Sequence, residues 1–253
     1  MSINIAAIYR YPVKGLTPEP LDRVLLSPGQ GLPQDRRFAI AHGSTRIDPT
    51  APTWMPKTNF LMLARNERLA RLRTQFDETT GVLTIQRDGK TVANANIIEA
   101  AGRTVIEQFF AAYMAEESRG APKLVEAPGH MFSDTAAKVV SIIGLESVRD
   151  VERVVRAPVD ARRFRANLYV EGGRAWQEFD WPGKEIRIGT TRLRVTKKID
   201  RCAATNVDPE TGQRDLNIPL ALQRGFQHIE VGVYAEVLEG GTIALGDPLT
   251  PPA

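Results

Sequence analysis

Ile3, Ile5 and Ile8 are spaced among polar neighbours at the head of the chain, so 4–11 reads as an opening strand that Pro12 stops. Short apolar or alternating runs recur at 23–26, 36–41, 69–76, 82–86 and 91–95, each of strand length. Asp77 to Gly81 and Asp88-Gly89 supply the turns of a meander through the last three. Pro49, Pro52 and Pro56 make 44–56 a loop, because an element interior does not tolerate proline at that density. The period changes across 98–114. There Val105, Ile106, Phe109, Phe110, Tyr113 and Met114 fall at helical spacing and predict one helix with a broad apolar face. Gly120, Pro122, Pro128 and Gly129 mark 116–130 as a linker or crossover, which divides the chain into 1–118 and 119–253.

The second half opens on an apolar strand at 138–143. A short helix follows, in which Leu145, Val148, Val151, Val154 and Val155 recur every three or four residues. Strands are expected at 162–170, 185–188, 192–198, 229–238 and 242–245, with turns at Gly189-Thr190 and Gly240-Gly241 and a short helix around Leu220. The fold class that emerges is α+β, mostly β: two barrel-like sets of strands with a few packing helices.

Composition narrows the function. Of 253 residues, 42% are hydrophobic and 25% charged, a soluble globular mix. The 33 basic and 30 acidic residues leave a net charge of only +3, which argues against nucleic acid as a partner. The N-terminus lacks a signal peptide's basic head and apolar run, and no window approaches the roughly 18 apolar residues of a membrane span, so a cytoplasmic protein without membrane contact is expected. A single cysteine excludes an internal disulfide, a cysteine-rich zinc site and an iron–sulfur cluster held by this chain alone. His42, His130 and His228 form no zinc motif, and no GxGxxG fingerprint is present.

Cys202 is therefore the chain's one thiol, at the junction of a strand and a polar loop, close in sequence to Lys197, Lys198 and Arg201. Such surroundings suit a ligating thiolate if those side chains face it, and strand alternation bears on whether they do. A buried, inert cysteine is the other reading. Three basic clusters stand at expected strand ends: Lys14, the run Asp35-Arg36-Arg37, and Arg162 to Asn167 with Arg163 and Arg165. Guanidinium forks suit phosphate or oxo-anions, and convergence of the three on one anion is open at this level. Ser133, Asp134 and Thr135 add hydroxyls and a carboxylate ahead of the 138–143 strand, as a cap, a turn or a proton relay.

These motifs resemble those of the MOSC-domain family, in which a MOSC N-terminal β-barrel domain precedes the MOSC domain. The segment Ile8 to Gly15 resembles the family's YPVKS opening, and Gly31 to Phe38 its G-x-x-x-D-R-x-[WF] stretch. Phe132 to Thr135, Phe164 to Asn167, Trp176 to Trp181 with Ile188-Gly189, Arg201-Cys202, Val207 to Gly212 and Gly246 to Pro248 match in order over nearly the whole chain. Enzymes of this family, the mitochondrial amidoxime-reducing component among them, reduce N-hydroxylated compounds with a pterin-based molybdenum cofactor, Mo-molybdopterin. The resemblance implies Cys202 as the protein's thiolate ligand to molybdenum. It implies Lys14, Arg36, Lys57, Ser133, Thr135, Arg165, Asn167, Arg201, Gly232 and Tyr234 as cofactor contacts, and Asp134 as a proton relay. It also implies a small N-hydroxylated substrate and a separate flavin or iron–sulfur electron donor, since the chain carries no such group itself. A molybdenum cofactor or sulfur carrier without turnover is the rival reading. The chain departs from the family at Gly15, Ala136 and Asp200, where hydroxyl residues are usual, and Lys57 stands in for an arginine.

Overall fold

The computed structural model describes residues 2–48, 51–127 and 129–252. Pro49 and Pro128, two of the loop markers above, lie outside the described residues. The chain runs β1 (Ile3–Arg10), β2 (Glu19–Leu21), β3 (Arg23–Leu26), β4 (Phe38–Ala41), β5 (Leu72–Asp77), β6 (Val82–Arg87), β7 (Lys90–Asn96), α1 (Ala100–Tyr113) and β8 (Lys123–Glu126). It continues through β9 (Val140–Gly144), α2 (Leu145–Val155), β10 (Leu168–Glu171), β11 (Glu185–Ile188), β12 (Thr191–Asp200), α3 (Ile218–Phe226), β13 (Glu230–Glu239), β14 (Gly241–Ala244) and β15 (Pro248–Thr250). Among the described residues no helix is long and apolar enough to cross a membrane.

The largest sheet has the order β10-β9-β13-β12-β11-β15-β1-β2, and a further pairing of β10 with β1 closes seven of these strands into a barrel. The mostly-β expectation holds. The first-half meander β5-β6-β7 forms its own sheet, β4 pairs with β8, and β3 pairs with β14. β1 therefore lies in the barrel, with Asn4 opposite Glu171 and Ile3 opposite Leu249. Ile3, Ile5 and Ile8 cannot share one face by strict alternation, but the register with β10 shifts between Ile5 and Ala7. That bulge turns Ile8 back into the core with the other two. Each buried isoleucine contributes about 1.5–3 kcal/mol.

A second core fills the first half, where Ile106, Phe110 and Tyr113 of α1 join Leu83 and Ile85 of β6. The apolar face of that helix is narrower than its spacing predicts: Val105 is 45% exposed. A third core packs α2 and α3 against the outside of the barrel through Val148, Val151, Ile218 and Leu222.

Two stretches differ from expectation. The linker 116–130 contains β8, which β4 recruits by backbone pairing of Phe38 with Glu126 through Ala41 with Lys123. The strand expected over 162–170 begins only at Leu168. Asp160 accepts a hydrogen bond from the Arg162 N–H and caps a 3-10 turn at Ala161–Phe164, and Arg165 then adopts a left-handed backbone, φ 53°. That local cap outcompetes extension.

Candidate functional site

The end of the barrel and the first half together enclose a cavity of about 330 Å³. Lys14 reaches it from the turn after β1, which a backbone bond from the Lys14 N–H to the Phe38 carbonyl (2.8 Å) ties to the start of β4. Gly15 follows at φ +83°, and a Cβ there would stand 3.2 Å from the Leu61 carbonyl oxygen, so the hydroxyl residue usual at this position is strained out. Arg36, Lys57, Ser133, Asp134, Thr135, Arg165, Asn167, Arg201, Cys202 and Tyr234 all line the same space. The three basic clusters thus each send a side chain to one cavity.

Its charges are arranged in two groups. Lys14 Nζ donates to Asp134 Oδ1 at 2.7 Å and to the Phe132 carbonyl at 2.9 Å, and Lys57 Nζ donates to Asp134 Oδ2 at 2.8 Å. Lys57 Nζ also lies 3.5 Å from Cys202 Sγ. Burial favours the neutral acid of Asp134, but Lys14 and Lys57 outweigh it and hold the carboxyl well below its ordinary range. Burial pulls Lys14 below the usual lysine value despite Asp134, whereas at Lys57 the carboxylate overcomes burial and raises it.

The second group is Arg36 and Arg165. Arg36 pairs with the buried Asp35 and donates through Nη2 to the Arg165 carbonyl at 2.8 Å. Arg165 Nη1 donates to the Leu16 carbonyl at 2.8 Å, while its buried Nη2 has no hydrogen-bond partner among the described residues. Desolvation draws Arg165 down to about 10. Arg201, 8% exposed, folds back to donate from Nε to the Val231 carbonyl (2.9 Å) and from Nη1 to the Phe164 carbonyl (2.8 Å).

Gly232 does not line the cavity but makes this arrangement possible. It has φ +75°, and an added Cβ would fall 2.5 Å from the Ile142 carbonyl oxygen and 3.4 Å from Arg201 Nη2. Asn167 lies in the wall with its Oδ1 accepting from the Ser141 N–H and hydroxyl, at 3.1 and 2.8 Å. Ser133 and Thr135 form local turns: the Ser133 hydroxyl donates to the Thr135 carbonyl at 2.6 Å, and Thr135 Oγ1 accepts from the Ala137 N–H. Tyr234 faces the cavity from β13, and burial raises its phenol.

Regular alternation would send Lys197 and Lys198 to opposite faces, yet both are exposed on the cavity rim. The β12–β13 register shifts between Val195 and Lys197, which breaks the alternation there. Asp200 lies on the same rim. Of the arginine-rich run, Arg162 pairs with Asp160 and Glu210 and does not line the cavity.

Arg163 has a role the sequence does not reveal. Its guanidinium takes both oxygens of Asp215 (2.8 and 2.7 Å), Asp208 Oδ2 (2.9 Å) and the Asn206 carbonyl (3.2 Å). It therefore clamps the loop after Cys202, whose own carbonyl accepts from the Thr205 N–H and hydroxyl at 3.0 and 2.9 Å. The three residues that accept from this one arginine lie 43 to 52 positions downstream, so only the folded chain shows the clamp.

The closed seven-stranded barrel thus opens at one end on a cavity lined by buried cationic side chains and the single thiol. The chain belongs to the family defined by the MOSC N-terminal beta barrel domain, whose model matches residues 2–131, followed by the MOSC domain at residues 128–250. It is 28% identical over 122 residues to mitochondrial amidoxime reducing component 2 of Bos taurus, covering 44% of this chain and 36% of that protein. The chain thus spans little more than a third of that relative's length. Molybdenum cofactor sulfurase of Bos taurus is 38% identical over 73 residues, 28% of this chain and 8% of that one. Among solved structures, the YUAD protein from Bacillus subtilis superposes with a TM-score of 0.47 at 13% identity, covering 98% of this chain and 94% of that one.

Proposed function

We propose that the protein binds the pterin-based molybdenum cofactor and reduces the N–O bond of small N-hydroxylated molecules, with electrons from a separate protein. The observation that carries this reading is the convergence of Cys202 with Lys14, Arg36, Arg165 and Arg201 on one cavity. The residues fit the group. Among the described residues no three His, Cys, Asp or Glu side chains converge, so a bare ion would find one thiol and little else. A metal that arrives with its own sulfur ligands needs only that thiol, and soft thiolate donors suit it. The unpartnered Arg165 Nη2 offers a charge-assisted bond to an anionic oxygen. The names of the amidoxime-reducing and cofactor-sulfurase relatives point the same way.

In this reading Lys14, Arg36 and Arg165 hold the anionic part of the cofactor, while Ser133, Thr135, Asn167, Arg201, Gly232 and Tyr234 shape or line its wall. Cys202 ligates the metal. The cofactor, when bound, supplies the two-electron oxygen-atom transfer that the protein's own side chains cannot. Lys57 keeps its proton and serves as a fixed hydrogen-bond donor beside the sulfur. Asp134 stays ionised between two ammonium groups, so it accepts from both Lys14 and Lys57 and fixes them on the cavity wall.

The test is metal content beside turnover. Protein from a host that makes the cofactor should carry molybdenum and convert an N-hydroxylated substrate only with a supplied electron-transfer chain. Cys202→Ser should lower turnover per bound metal by orders of magnitude with the fold intact, because a hydroxyl is a harder, weaker ligand than a thiolate. Bound molybdenum with no conversion points to a carrier, and folded protein without molybdenum overturns the proposal.

A further inference from the structure

Tyr11, the first residue after β1, is fully buried, and each of its polar groups bonds a turn that carries one of the cavity arginines. Its N–H donates to Asp35 Oδ1 at 2.8 Å, and its carbonyl accepts the Arg36 N–H at 2.7 Å. Its hydroxyl donates to the carbonyl of Ala166, next to Arg165, at 3.2 Å. Its ring is the common contact of both guanidiniums: Arg36 Cζ lies 4.5 Å and Arg165 Cζ 4.3 Å from the ring centroid.

Both arginines need such support. Arg36 and Arg165 sit at φ 51° and 53°, a left-handed backbone that long side chains seldom adopt. Their like charges converge in a desolvated space, where repulsion is screened least. An aromatic face is electron-rich and attracts a cation more strongly the less water is present. One tyrosine ring shared by two guanidiniums offsets that repulsion without neutralising either charge, as a second carboxylate would.

We propose that Tyr11 is the positioning residue of the anion-binding end of the cavity, whose ring and three hydrogen bonds hold Arg36 and Arg165 as one paired grip. The role rests on the reading that this cavity takes an anionic group. It places the cause of anion affinity in a residue that does not line the cavity at all.

The test uses the full chain, freed of ligand, with inorganic phosphate as the probe in calorimetric titrations, and melting temperature recorded for every variant. Tyr11→Phe keeps the ring and loses one hydrogen bond, so its phosphate affinity should stay within about twofold of wild type. Tyr11→Leu should bind roughly tenfold more weakly, from loss of the cation–π contact to two guanidiniums. Adding Arg165→Met to Tyr11→Leu should then weaken binding much less than Arg165→Met does in the wild-type background. A purely structural residue would lower the melting temperature and leave affinity where it was. Should Tyr11→Leu fail to fold, pentafluorophenylalanine at position 11 keeps the ring's shape with an electron-poor face, and it should bind phosphate several-fold more weakly than Tyr11→Phe. Folded Tyr11→Leu, or the fluorinated variant, binding as tightly as its reference overturns the role of Tyr11 alone. Wild-type protein that binds no phosphate overturns the anion-site reading and this role together.

Discussion

Arg163→Met tests whether the loop after Cys202 is held by one buried guanidinium. Methionine keeps an unbranched apolar stem of similar reach but supplies no donor, so Asp215, the Asn206 carbonyl and Oδ2 of Asp208 all lose the guanidinium. Removing one member of a buried ion pair costs about 3–5 kcal/mol. The Arg163 side chain is 3% exposed, but those of Asp208 and Asp215 are 22% and 42% exposed, so the freed carboxylates recover water. That places the cost at the low end, about 3 kcal/mol. For a chain of this size the melting temperature should fall by roughly 6–12 °C. The loss should be local first, with faster amide hydrogen exchange over 203–215 than over the barrel strands. Thermal unfolding and exchange mass spectrometry measure the two effects. A fall under about 2 °C with unchanged exchange over 203–215 would refute the clamp.

Two further outcomes follow from the same geometry. Asp134 has a folded pKa below its unfolded value of 3.8, so its contribution to stability is present above that value and is lost as pH falls through the folded one. The stability gap between wild type and Asp134→Asn should therefore be widest near neutral pH and close in acid, which melting curves from about pH 6 to pH 2 resolve; a gap that widens in acid contradicts the pairing. Gly232→Ala should cost at least about 2 kcal/mol, because its Cβ meets the Ile142 carbonyl at 2.5 Å from a positive φ, and denaturant titration that finds it neutral removes the steric account of Arg201.

Much of the fold was legible because the strongest elements obey a local period. The strand at 23–26, the helix at 145–155 and the strand at 185–188 are observed with the expected bounds. β2, β8 and β15 escaped notice for the opposite reason: each has three or four residues, β2 and β15 contain proline, and all are strands only because a distant partner pairs with them. The 162–170 stretch looked extended until the side chain of Asp160 captured a backbone N–H. For the cavity, residue types were readable but convergence was not. Lys14 meets Asp134 across 120 residues, and Lys57 meets Cys202 across 145. Tyr11 stood in the Ile8 to Gly15 motif but drew no role from it, since an aromatic residue at a strand end reads as ordinary core.

The pairing of Ile3 with Leu249 sets an order of events as well as a shape. The first-half core can assemble among residues close in sequence, but the barrel cannot close until β10 and then β15 have been made. Until then β1 has only the pairing of Ile8–Arg10 with β2, and the edge that β10 takes stays open beside Ile3 and Ile5. Such long-range closure slows folding and leaves an aggregation-prone edge exposed during synthesis. A fragment cut between the two halves would leave β1 without both β10 and β15.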